Sequence, residues 1–230
     1  MNIEDKIAKL CLDKYESLKK TGKPTEKEWT VLSGIVLQDE SKQLSVISLC
    51  TGTKCLTGAE LKNTMYIYRG NKLSDSHAEI LARRAFLRYL YNQVDLVINN
   101  EKSTIFCTKE NKILMKDVSF HFFSSQTPCG DCSIIPKLKN ESTFSIPCKR
   151  FKPETNSKSE YGEEIVDVHR TGAKCIDNDL QDTHEKGANY HTVGPLRTKP
   201  GRGDRTLSLS CSDKMAKYVL FFNFVFAFIN

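Results

Sequence analysis

No stretch of this 230-residue chain is apolar for long enough to cross a bilayer. The longest such run, Val219 to Ile229, is interrupted by Asn223 and falls well short of the ~20 residues that a membrane helix needs. The opening, MNIEDKIAKL, lacks the basic-then-apolar leader of a secreted protein, so a cytoplasmic or nuclear location is expected. Nine cysteines, an odd number scattered along the chain, do not make a disulfide framework; free thiols, some of them metal-bound, are the expectation. Repetition is confined to one five-residue echo, TGTKC at 51–55 and TGAKC at 171–175, too slight for a repeat architecture. Nor is the charge extreme. A net +6 with a pI near 8.8 favours an anionic partner such as RNA without identifying one.

What remains is a globular composition, 39% hydrophobic and 27% charged, in a chain long enough to bury a real core. Ile3, Ile7, Leu10, Tyr15 and Leu18 recur at helical spacing, which predicts a helix over 3–20, ended by Gly22 and Pro24. Two strands are predicted next, at 29–37 and 44–50, joined by the polar 38–43. Ser74 or Asp75 is the expected N-cap of a long helix reaching Val94, with Ile80, Ala85, Leu87 and Leu90 on its buried face. The aromatic segment at 120–123 reads as a strand running into Pro128, where a further helix is expected to begin at Cys129. Residues 149–191 are polar and read as a largely exposed insertion.

Two short motifs carry the chemistry. His77-Ala78-Glu79 and Pro128-Cys129-Gly130-Asp131-Cys132 together spell H-x-E followed by P-C-x-x-C. An imidazole and thiolates suit zinc, with one position left for water whose pKa the ion lowers towards ~7. A glutamate two residues from the histidine reaches that water without ligating the metal, and this combination is the signature of zinc-dependent nucleobase deaminases. A closed structural zinc site would need four protein ligands and no acid beside them.

The chain resembles the adenosine-deaminase (editase) domain shared by enzymes acting on double-stranded RNA and on tRNA. The matching stretches are TGTKCLTG at 51–58, DSHAEILARRAFLRYLY at 75–91, SSQTPCGD at 124–131 and SCSDKMA at 210–216. KPGRGDRT at 199–206 and HRTGAKC at 169–175 look most like the tRNA-specific branch, which converts the adenosine beside the anticodon of an alanine tRNA to inosine. The resemblance implies an α/β fold, a mixed sheet flanked by helices with a cytidine-deaminase-like core. It implies His77, Cys129 and Cys211 as zinc ligands and Glu79 as proton shuttle. It further implies Arg83, Arg84, Lys214 and Lys217 as ligands of a buried inositol hexakisphosphate, and Thr53 and Lys54 as contacts to the flipped nucleotide. Lys217 stands where the family usually has arginine. tRNA is the implied partner, with no membrane and no stable protein partner.

Two departures qualify the match. Cys132 stands where the family has a small residue, and its spacing from Cys129 alone fits the local P-C-x-x-C site of cytidine deaminases. Cys211 is preferred because SCSDK is intact, and Cys132 stays open as the alternative. After Ala216 the family continues with a tryptophan and a glycine-rich stretch, whereas this chain reads KYVLFFNFVFAFIN. Residues 1–216 are therefore expected to be the N-terminal half of an editase domain and 217–230 an aberrant hydrophobic tail, disordered or aggregation-prone. A catalytically silent RNA-binding fragment is the alternative function. Among residues left without a role, His121 is expected to pack in a strand and His169, His184 and His191 to be solvated, while 199–205 stays open between a mobile charged loop and one whose glycines and cations neutralise phosphates.

Overall fold

A computed structural model describes residues 1–64, 73–139, 165–201, 203–222 and 225–228. The first part of the expected insertion, 149–164, lies outside these. Asn2 accepts a hydrogen bond from the Asp5 N–H at 2.8 Å and opens α1 (Ile3–Ser17), with Glu4 and Asp5 at its positive end. The helix stops at 17 rather than 20 because Leu18 turns extended. In chain order there follow β1 (Leu32–Gln38), β2 (Leu44–Thr51), β3 (Thr53–Cys55), α2 (Gly58–Thr64), β4 (Asp75–His77) and α3 (Ala78–Ile98). Beyond them come β5 (Phe106–Lys109), β6 (Lys112–Met115), β7 (Ser119–Ser124), a 3-10 turn (Asp131–Ser133) and β8 (Pro136–Leu138). The remainder is β9 (Ile165–Val168), β10 (Lys174–Cys175), β11 (Arg197–Thr198), α4 (Cys211–Phe222) and β12 (Val225–Phe228). The chain is a mixed α/β protein. None of the described helices is long and apolar enough to cross a membrane.

The contacts divide the chain into two compact units. The first comprises Met1–Lys54, Ser76–Gln126 and Phe222–Ile229. Its sheet runs β12-β7-β1-β2, antiparallel except for the parallel pairing of β12 with β7, so the hydrophobic tail supplies a strand at 225–228. Strand β1 is buried at six of its seven positions and shows no alternation, as a strand covered on both faces must. On one face Leu32 and Val36 pack with Phe123 against Ile7, Ala8 and Cys11 of α1. Antiparallel partners share a face, so Ile35 with Phe122 and Leu37 with Phe120 lie on the other. There Phe86 of α3 meets Phe120 edge-on at 4.9 Å. The cap of helix α3 is His77, two residues beyond Asp75 and three beyond Ser74, and the helix runs on to Ile98. His121 is buried, as its strand position implied.

The second unit comprises Cys55–Asp75 and Thr127–Phe221. Thr57 and Glu60 form a reciprocal cap on α2: the Thr57 N–H donates to Glu60 Oε2 at 2.7 Å and the Glu60 N–H to Thr57 Oγ1 at 3.3 Å. Strands β8 and β9 pair, as do β10 and β11. The described part of the polar segment is less exposed than expected, since Ile165, Val168, Ala173, Cys175 and His191 are all buried. His169 and His184 are exposed. No α-helix begins at Cys129. The 3-10 turn there is three residues long, because the Cys132 N–H goes to Ser212 Oγ at 3.0 Å instead of back along a helix.

Candidate metal centre

His77 ends β4 and caps α3, and its place is set by Gly52. The Gly52 carbonyl accepts the Ala78 N–H at 2.9 Å, and at φ +149 a Cβ there would sit 2.1 Å from the Ser76 carbonyl oxygen. Only glycine lets the TGTK segment approach the start of α3 this closely. Glu79 lies in the first turn of α3, 4% exposed, where the positive end of the helix favours a carboxylate.

The two thiols belong to the second unit. Cys211 is the first residue of α4 and fully buried, and its N–H points to Cys129 Sγ at 3.3 Å. Ser212 joins the two segments further: its N–H donates to the Cys129 carbonyl at 3.0 Å and its hydroxyl to the same oxygen at 2.9 Å. Gly130 makes the approach feasible. At φ +104 its missing Cβ would lie 2.3 Å from Ser210 Oγ and 3.0 Å from Ser212 Oγ. Among the described residues, one donor atom each from His77, Cys129 and Cys211 falls within 4.8 Å of the others. Cys132 is not in this group, and it is exposed.

Behind the thiols lies Lys199, 1% exposed, its ammonium 2.6 Å from Cys211 Sγ and 3.8 Å from Cys129 Sγ. Burial pulls its pKa down, but Cys211, Cys129 and Asp75 outweigh that and hold it above the ordinary lysine value. Asp75 Oδ2, 3.6 Å from Lys199 Nζ, also accepts from Lys214 Nζ at 2.6 Å and Ser208 Oγ at 2.9 Å. By sequence Lys199 falls in the run 199–205, open between a mobile charged loop and a phosphate-neutralising one, and Asp75 is a candidate helix cap. Nothing in either residue's neighbours along the chain signals a buried ion pair. Of the other predicted positions, Arg83 is half-buried and Arg84 exposed on α3, Lys214 is half-buried and Lys217 exposed on α4, and Thr53 and Lys54 lie half-buried and exposed on β3.

The model of the adenosine-deaminase (editase) domain matches residues 48–221. The chain belongs to that family. Among curated relatives, this editase domain is 35% identical to tRNA-specific adenosine deaminase 1 of Mus musculus, over 93% of the chain and 60% of the relative. It is 42% identical to tRNA-specific adenosine deaminase 1 of Drosophila melanogaster, over 92% of the chain and 48% of the relative. To the double-stranded RNA-specific editase Adar of the same fly it is 31% identical, over 93% of the chain and 29% of the relative. The chain thus spans about half the length of the tRNA-specific relatives. The residues of the editase domain fit zinc: one imidazole and two thiols within reach of one ion are the three-ligand set of a catalytic site, which keeps a fourth position open. The Lys199 ammonium beside both sulfurs favours the thiolates such an ion requires.

Proposed function

We propose that this domain is the zinc-holding part of a deaminase that hydrolyses adenosine to inosine in tRNA, the adenosine beside the anticodon of an alanine tRNA being the substrate. The convergence of His77, Cys129 and Cys211 within 4.8 Å carries the reading. The names of the tRNA-specific relatives support the choice of RNA. Zinc in that site would supply a Lewis acid that makes hydroxide available near neutral pH. The target nucleotide must leave its stack to reach the site, with Thr53 and Lys54 contacting it and its backbone. Glu79 takes the proton of the attacking water, places it on the purine ring and then helps the amine leave from C6, so that adenosine and water give inosine and ammonia.

Inositol hexakisphosphate is the second cofactor of this reading, bound by Arg83, Arg84, Lys214 and Lys217. Of these four, Lys214 also pairs with the buried Asp75. The place of action is the cytoplasm or the nucleus. Two measurements test the reading. Glu79→Ala keeps stoichiometric zinc and loses about 10²–10⁴-fold in inosine formation on an alanine tRNA; metal loss in this variant contradicts the role. Cys211→Ala loses zinc and Cys132→Ala keeps it, whereas the reverse pattern favours a cytidine-type site built on Cys132.

A further inference from the structure

Arg197 is fully buried, yet no step of the proposed reaction uses it. Its guanidinium forks onto Asp182, with Nη1 to Oδ2 at 2.6 Å and Nη2 to Oδ1 at 2.7 Å, while Nη2 also reaches the Thr192 carbonyl at 2.6 Å. Its Nε–H donates to Asp131 Oδ1 at 2.9 Å. Its main chain is equally committed: the N–H donates to Asp213 Oδ2 at 3.0 Å, and the carbonyl accepts the Ser210 N–H at 2.7 Å. Asp131 is two residues beyond Cys129, Asp213 two beyond Cys211, and Ser210 immediately precedes Cys211. One residue therefore holds both thiol-bearing segments, one by its side chain and the other by its backbone.

We propose that Arg197 is a positioning residue that fixes the spacing of the Cys129 and Cys211 thiols for the metal, acting on the Cys129 turn through Asp131. The inference rests on the zinc reading above. A charged fork suits this task better than apolar packing, because its hydrogen bonds set direction as well as distance. Asp131 and Asp182 supply the two carboxylates that make a fully buried guanidinium tolerable. Asp131 in turn accepts the Gly194 N–H at 2.7 Å, so the loop leading into β11 is drawn onto the same turn.

The test uses the chain with Arg197→Lys, which keeps the charge and loses the fork, and separately with Asp131→Ala, which leaves the guanidinium on Asp182. Zinc affinity is measured by competition with a chromophoric chelator, and the visible spectrum of the cobalt(II)-saturated protein reports ligand geometry. Both variants are expected to bind zinc ~10–100-fold more weakly than the parent, with shifted cobalt bands. The double variant should be no weaker than the weaker single, since the two act through one contact. Zinc affinity within about twofold of the parent and an unchanged cobalt spectrum, at a lowered melting midpoint, would reduce Arg197 to a stabilising residue and overturn the proposal. If Arg197→Lys does not fold, Asp131→Ala carries the test alone. A parent chain that binds no zinc would defeat the zinc reading first, so the two failures are distinguishable.

Discussion

At position 130 the backbone adopts φ +104 and ψ −147, a conformation essentially closed to residues with a Cβ, and the space a Cβ would fill is occupied by Ser210. Gly130→Ala should therefore destabilise the fold by roughly 1–3 kcal/mol from the backbone alone, and push apart the segments that carry Cys129 and Cys211. Denaturant titration and zinc competition together check this; a variant of parental stability would mean that the turn relaxes freely. His191 shows a second single-residue effect. It accepts the Thr171 N–H on Nε2 at 3.2 Å and lies 3.1 Å from Asp182 through Nδ1, so it is neutral with its proton on Nδ1. Burial lowers its pKa below 6.5, against the pull of Asp182, with Arg197 and Arg170 adding to the lowering. The unfolded chain takes up the proton first as pH falls. The contribution of His191 is thus complete above pH 6.5 and is lost as pH drops through the folded value. Melting midpoints measured from pH 7 to 5 should fall, and His191→Gln should flatten part of that fall. The part due to His121, whose pKa burial also lowers, would remain.

The helix that covers one face of β1 depends on a few side chains. Ile7, 1% exposed, packs with Ala8 and Cys11 against Leu32, Val36 and Phe123, so Ile7→Ala should cost about 2–5 kcal/mol in urea unfolding. A loss under 1 kcal/mol would show that α1 contributes little to the core. This helix was legible in the sequence because its apolar residues repeat at 3.6-residue spacing, and β1 and β2 were legible from their β-branched runs. The termini were not. The end of α1 and the start of α3 are set by where N–H groups find partners, such as the Gly52 carbonyl for Ala78, and those partners are distant in sequence. The same applies at the candidate site. His77, Glu79 and Cys129 stand in motifs dense enough to read directly, and Cys211 came from the family resemblance. Lys199, Asp75, Asp131 and Arg197 stayed hidden, because a charged residue in a polar stretch looks solvated until its partner is known. Cys129 was read as a helix start because nothing near it announced that the hydroxyl of Ser212, 80 residues beyond Cys132, takes the N–H on which a helix would depend.

For the molecule as a whole, a metal that binds only the folded chain adds directly to stability. Free zinc at a hundredfold excess over its dissociation constant should contribute about 2.7 kcal/mol, which for a chain of this size raises the melting midpoint by roughly 5 to 10 °C. Scanning calorimetry with and without chelator checks this, and coincident transitions would mean that the three donors hold no metal in solution. The order of the ligands along the chain has a consequence in time. Cys211 follows His77 by 134 positions. At a synthesis rate of ~5–20 residues per second, it leaves the ribosome roughly 7 to 27 s after the histidine. Throughout that interval the nascent chain carries His77, and later Cys129, without the third donor, so capture of a metal by all three waits for Cys211 to emerge. When Cys211 does arrive, Lys199 has already emerged, so the ammonium that lies 2.6 Å from the buried Cys211 sulfur in the fold is in place before any metal.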